Sequence, residues 1–225
     1  AGMDNGQAEY LQREALRRGT VRVAVFPVGT VPGTRNRLPD QLLPALNRNL
    51  GDDFWRRPPQ WLDVIDESDR GGYGRGAMEP SEAARQGQRM GARLVVVMAL
   101  DSIRQTEGEV VTQRRSAKTR SGADTAYTVR EGRMETWARV TWRVVGAGGW
   151  GSVVDQGSAT ARSGANFRKA EYKGDWRTLD LPISDRALFD EGDVGYNRET
   201  VRELVSGLTD RIGRDVYDAL LRRIE

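Results

Sequence analysis

The chain has 225 residues, a formal net charge of +3 and neither His nor Cys. Those two absences exclude thiolate nucleophiles, disulfides, Ser-His-Asp triads, His-ligated haem and ordinary zinc sites, leaving carboxylates, Lys, Tyr or a hard cation for any catalysis. Hydrophobic residues at 38% and charged residues at 30% describe a globular domain with a polar surface, and the longest apolar run, Leu94 to Leu100, is too short for a membrane-crossing helix.

Residues Ala1 to Gly6 are small and polar and carry no signal-peptide core, as in a cytoplasmic protein or an exported one after cleavage. Ala8 to Arg18 is patterned for a short helix. Thr20 to Val28 alternates Val21, Val23 and Val25 with Arg22 and Ala24, the period of a first strand. Gly29 to Arg37 then reads as a loop. Asp40 stands where a helix N-cap belongs, before Leu42, Leu43, Leu46 and Leu50 at helical spacing, and Gly51 is the expected stop. Trp61 to Asp66 reads as a second strand, and the glycines from Gly71 to Gly76 as a flexible loop. Pro80 opens a helix whose Ala83, Ala84, Gly87 and Met90 form a small-residue face for close packing, with Gly91 ending it. Arg93 to Ile103 is almost continuously apolar, which marks a central strand buried on both faces.

Glu107 to Arg133 is polar and rich in Arg, and reads as a strand extension with a long hairpin loop. Met134 to Val145 places Ala138, Val140, Trp142 and Val144 on one face against Glu135, Arg139, Thr141 and Arg143 on the other; Ser152 to Arg162 returns as its hairpin partner. Ser163 to Tyr196 reads as a long irregular connection, of the kind that is functional or ordered by a partner. Asn197 stands at the N-cap position of an amphipathic helix carrying Val201, Leu204, Leu208, Ile212, Val216 and Leu220. The fold class is α/β (α+β): a three-layer domain with a mixed sheet of about five strands, helices on both faces and a closing C-terminal helix. Residues 1–19 form an N-terminal segment or short helix, and residues 20–225 a single domain with a polar hairpin insertion at 105–133 and a long loop at 163–196.

The opening VRVAVFPV with its Phe26-Pro27 pair, and AARQGQRMGARLVVVMAL with Gly91-Ala92 leading into Val95 to Val97, resemble the CsgG-like group of bacterial envelope proteins. The TolB N-terminal domain and the lipoprotein activators of penicillin-binding proteins have a similar build. The resemblance covers Thr20 to Ile103, Met134 to Arg162 and the final helix. It implies a periplasmic or envelope-facing module, with the cytoplasm still open, that docks on protein partners or associates with itself as a homo-oligomer. Glu107 to Arg133 lacks the apolar alternation of a lipid-facing hairpin, which argues against a pore, and the lipid-bearing Cys of many relatives is missing. Peripheral membrane association stays open.

No cofactor and no metal are expected. Gly29 to Arg37 lacks the motif of a P-loop or a dinucleotide turn, and Asp185, Asp190, Glu191 and Asp193 fit no calcium loop, so an ordinary connection and solvated acids are the simpler readings. Trp142 belongs to the core face. The candidate interface residues are Trp137 and Arg139 on the polar strand face, with Phe167, Tyr172, Trp176, Phe189 and Tyr196 from the long connection. The favoured function is a non-enzymatic assembly or adaptor module. The alternatives are a carboxylate-dependent hydrolase or sugar-binding enzyme, and a weak nucleic-acid binder using the Arg-rich hairpin.

Overall fold

The computed structural model describes residues 19–33, 39–56, 58–66, 76–148, 151–190 and 198–223. The expected helix at Ala8 to Arg18, Arg35 and Arg37 of the first loop, Gly71 to Gly74 of the glycine run, Glu191, Asp193, Tyr196 and the Asn197 cap lie outside them. The fold is mixed α/β. Its strands are β1 (Val21–Val25), β2 (Gly29–Thr30), β3 (Leu62–Asp66), β4 (Leu94–Thr119), β5 (Asp124–Gly146), β6 (Val153–Glu171) and β7 (Leu179–Asp180). Its helices are α1 (Leu42–Leu50), α2 (Pro80–Arg89), α3 (Ile183–Asp190) and α4 (Arg198–Leu221), the last closing the chain. The sheet order is β3-β1-β4-β5-β6, with β2 and β7 also pairing β4. β1 runs parallel to β3 and β4, whereas β7 is antiparallel to β4.

Internal contacts divide the chain into two compact units, one drawn from Ala1–Ile103, Ala138–Ala161 and Val205–Glu225, the other from Arg104–Trp137 and Arg162–Leu204. In the first, strand alternation sends Ala24, Val95, Val97 and Val145 to one face, where they pack with Ala83 and Ala84 of α2. Gly87 is what lets the helix come so close to β4, because a Cβ there would stand 2.2 Å from Val95 Cγ2. Pro80 starts α2, and Gly91, at φ +72°, follows its C-cap. The opposite sheet face carries Val23, Val25 and Val96, all fully buried, and Leu42 and Leu46 of α1 and Leu208, Ile212 and Val216 of α4 are fully buried as well. Pro27 interrupts the strand ladder after β1. Asn47 of α1 repairs the break: its Oδ1 accepts from the Val28 N–H at 2.7 Å and its Nδ2 donates to the Val28 carbonyl.

Two boundaries differ from the sequence reading here. Gln41, not Asp40, occupies the N-cap of α1, and it makes no side-chain cap. Gly51 does not stop the helix: it keeps helical dihedrals and the chain continues through a wider π turn, Gly51–Trp55. The buried Trp55 explains the extension, since its ring meets Tyr217 of α4 edge-on at 5.6 Å. Burial pushes the Tyr217 hydroxyl up to about 12.

In the second unit the expected long hairpin loop is a pair of strands with a tight turn. The Thr119 N–H donates to the Ala123 carbonyl and the Gly122 N–H to the Thr119 carbonyl, while Thr119 Oγ1 accepts from the Ala123 N–H. Gly122 holds φ +89° at that turn, which only glycine adopts without strain. The long irregular connection is also corrected. β6 runs on to Glu171, a 3-10 turn at Trp176–Thr178 leads into β7, and α3 follows. The alternation of this β6 stretch is carried by Ser163, Ala165 and Phe167 among Gly, Asn and Arg, residues of low strand propensity. A second core forms from Tyr127, Val129, Ala170, Leu179, Leu181 and Leu188, with Tyr172, Trp176 and Phe189 packed against it.

Candidate functional site

Asp185 of α3 is the polar centre of the second unit. Tyr127 of β5 donates its hydroxyl to Asp185 Oδ2, and Arg115 of β4 reaches the same oxygen with Nη1 at 3.1 Å. Strand alternation makes this possible, because it turns Arg115 and Tyr127 towards the aromatic cluster and Arg114 and Thr128 away from it. The Tyr127 hydrogen bond, aided by Arg115 and Ser184, holds the Asp185 carboxyl below its usual range against the opposing effect of burial. Burial first, and the bond to Asp185 second, push the Tyr127 hydroxyl up. Asp185 therefore stays ionised and fixes α3 to the hairpin. A hydrolytic carboxyl acting as an acid needs the opposite shift. Glu171 is lowered as well, by Lys169 and then Arg130.

Of the six basic residues between Glu107 and Arg133, Arg115 and Arg130 are held in ion pairs. Arg130 bonds Glu107 and Glu171, Arg168 pairs with Glu131, and Arg115 with Asp185. A nucleic-acid surface needs cations facing solvent, and Arg114, Lys118, Arg120 and Arg133 of the hairpin are exposed. Among the described residues no three His, Cys, Asp or Glu side chains gather as a metal site.

The candidate interface residues are placed as follows. Trp137 is half-buried on β5. Arg139 is exposed and its Nε donates to both oxygens of Asp101, at 2.9 and 3.0 Å. Trp176 and Phe189 stack at 5.2 Å with their planes 11° apart, and Arg177 lies over the Trp176 ring. Tyr172 is within hydrogen-bonding distance of Thr125 through its hydroxyl. Thus three of the aromatics come together, but as the partly buried margin of a core. Phe167 is buried outright, with its ring over the backbone of Gly132, and offers no surface. Tyr196 lies outside the described residues. The sequence reading missed Arg115 and Tyr127, whose only signal was their alternation within the polar hairpin. It also missed Ile183, which stands 84% exposed at the start of α3, and Val111, exposed on β4.

A separate cleft of about 290 Å³ lies in the first unit. Its floor is the α2-side face of β4 and β5 at Val97, Ala99, Thr141 and Arg143, and its wall is the segment Gly76 to Glu79 that leads into α2. The wall is tied to β2: the Ala77 N–H donates to the Thr30 carbonyl at 2.9 Å. Gly29 permits this approach, because a Cβ there would come within 2.7 Å of the Gly76 carbonyl oxygen.

No family model and no curated protein sequence matches the chain. Among solved structures, a neuraminyllactose-binding hemagglutinin homolog from Helicobacter pylori is 11% identical with a TM-score of 0.41, over 92% of this chain and 90% of that one. A lipoprotein from Neisseria meningitidis is 13% identical with a TM-score of 0.34, over 86% and 99%. A PelC dodecamer from Paraburkholderia phytofirmans is 14% identical with a TM-score of 0.29, over 84% and 88%.

Proposed function

We propose that this chain is a non-catalytic assembly module of the bacterial envelope, which docks on neighbours, including copies of itself, through its second unit. The observation that carries the reading is the stretch of β6 within that unit, Arg162 to Glu171: β6 ends the sheet order, so among the described residues no strand covers its outer side. An open edge presents a row of backbone donors and acceptors that another strand satisfies directly. The exposed Ile183 and Val111 of the same unit add apolar area to such a contact. The absence of His and Cys, and the depressed carboxyls at Asp185 and Glu171, give catalysis few candidates. The envelope placement rests on the resemblance read from VRVAVFPV and the Gly91-Ala92 approach to β4.

Light scattering across a concentration range tests the assembly. The expected particle mass is a multiple of 25.1 kDa. Asn166→Lys puts a charge on an exposed residue of the edge stretch, a device by which natural edges repel partners, and should lower the mass without moving the melting temperature. A wild-type particle of 25.1 kDa at every concentration would end the self-assembly reading.

A further inference from the structure

We propose that the cleft in the first unit binds a small zwitterion with an apolar body, of the α-amino-acid class. Three features carry this. The first is size: about 290 Å³ sits just below the range of pockets for drug-sized ligands and suits a molecule of a few heavy atoms. The second is that the cleft is already formed. Its wall is fixed by the Ala77-to-Thr30 hydrogen bond and the parallel bridge of Thr30 with Gly76, and its floor is β-sheet, so little ordering cost falls on binding.

The third feature is charge. Val31, Met78 and Val97 supply apolar lining, and the ionic groups that join them are one cation, Arg143, and one anion, Glu79. Among the described residues neither makes an ion pair, with the other or with anything else, whereas Arg139, two places earlier on the same strand face, is held by Asp101. A carboxylate suits the planar fork of Arg143, and an ammonium suits Glu79. A ligand bearing one charge alone would leave the other wall of the cleft unmatched. Thr141 Oγ1 donates to the Ala99 carbonyl within the floor, so the hydroxyl is oriented and keeps its lone pairs for a donor such as the ammonium.

L-Leucine is the probe, titrated into the isotope-labelled full chain while the amide signals of Ala99 and Thr141 are followed by NMR. The expected result is a saturable shift with a Kd of about 1 mM or tighter. N-acetyl-L-leucine, which lacks the ammonium, and L-leucine methyl ester, which lacks the carboxylate, should each bind about tenfold more weakly or worse. Arg143→Met and Glu79→Gln alter exposed side chains and should melt as the wild type does, while losing a similar factor in affinity for leucine. The absence of a saturable shift, equal binding of all three probes, or unchanged affinity in Arg143→Met would overturn the proposal.

Discussion

A methyl group added at Gly87 would stand 2.2 Å from Cγ2 of Val95, a residue with no exposed surface. Two effects compete in Gly87→Ala. Helix propensity favours Ala by about 1 kcal/mol, and overpacking a close helix-to-strand contact costs about 1–3 kcal/mol. Overpacking wins here, because Val95 is fully buried in the core with Ala83 and Ala84 of α2 and 2.2 Å is far inside van der Waals contact. The expected outcome is a net loss of about 1–2 kcal/mol in urea unfolding. Gly148 is the control: nothing lies within 4 Å of its Cβ position and its φ is not positive, so Gly148→Ala should leave stability within about 0.5 kcal/mol of wild type. The small-residue face of α2 was legible in the sequence as Ala83, Ala84 and Gly87. Glu79 and Arg143 were not legible as a pair. Each reads as an ordinary polar position of its own element, and only the strand order brings β5 beside β4 and the lead-in to α2.

α3 depends on its contact with the hairpin more than on its own residues, since eight residues are too few for a stable isolated helix. Asp185 supplies the polar part of that contact, and its folded pKa is depressed. A carboxyl depressed by folding contributes stability that is fully present above its unfolded pKa and is lost as pH falls through the folded value. Asp185→Asn should therefore lower the melting temperature at pH 7, and the gap from wild type should close as pH falls below about 4. A gap that stayed constant down to pH 2 would mean that Asp185 contributes through packing and not through its charge. This element was hidden in the sequence for a physical reason. Its helix is short, and the end of β6 that precedes it in the same unit is rich in Ser, Gly, Ala and Asn, so neither the helical nor the strand period rises above the polar background. Where aliphatic residues mark the period, as in β1, the start of β4 and α4, the sequence reading and the structure agree.

Within β4 a single strand passes from one regime to the other, which gives the whole molecule an internal comparison. Leu94 to Met98 and Leu100 are buried, whereas Glu107 to Arg114 are almost all exposed. The free energy of local opening follows the buried apolar contacts that must break, so the two stretches should exchange amide hydrogens very differently although both are hydrogen-bonded strand. Amides of Val95 to Leu100 should exchange only through global unfolding, and those of Glu107 to Arg114 well before it. The edge stretch Arg162 to Glu171 carries the functional content of the same experiment. In an isolated chain no strand of the described residues pairs the outer side of that stretch, whereas in an assembly that pairs the edge its amides become bonded. Hydrogen exchange read by mass spectrometry at two protein concentrations separates these cases. Protection that rises with concentration at residues 162–171, and stays constant in Leu94 to Leu100, is the expected pattern for assembly through the edge. A rise confined to peptides containing Ile183 would move the contact to α3, and unchanged exchange in both would leave the second unit without a role in association.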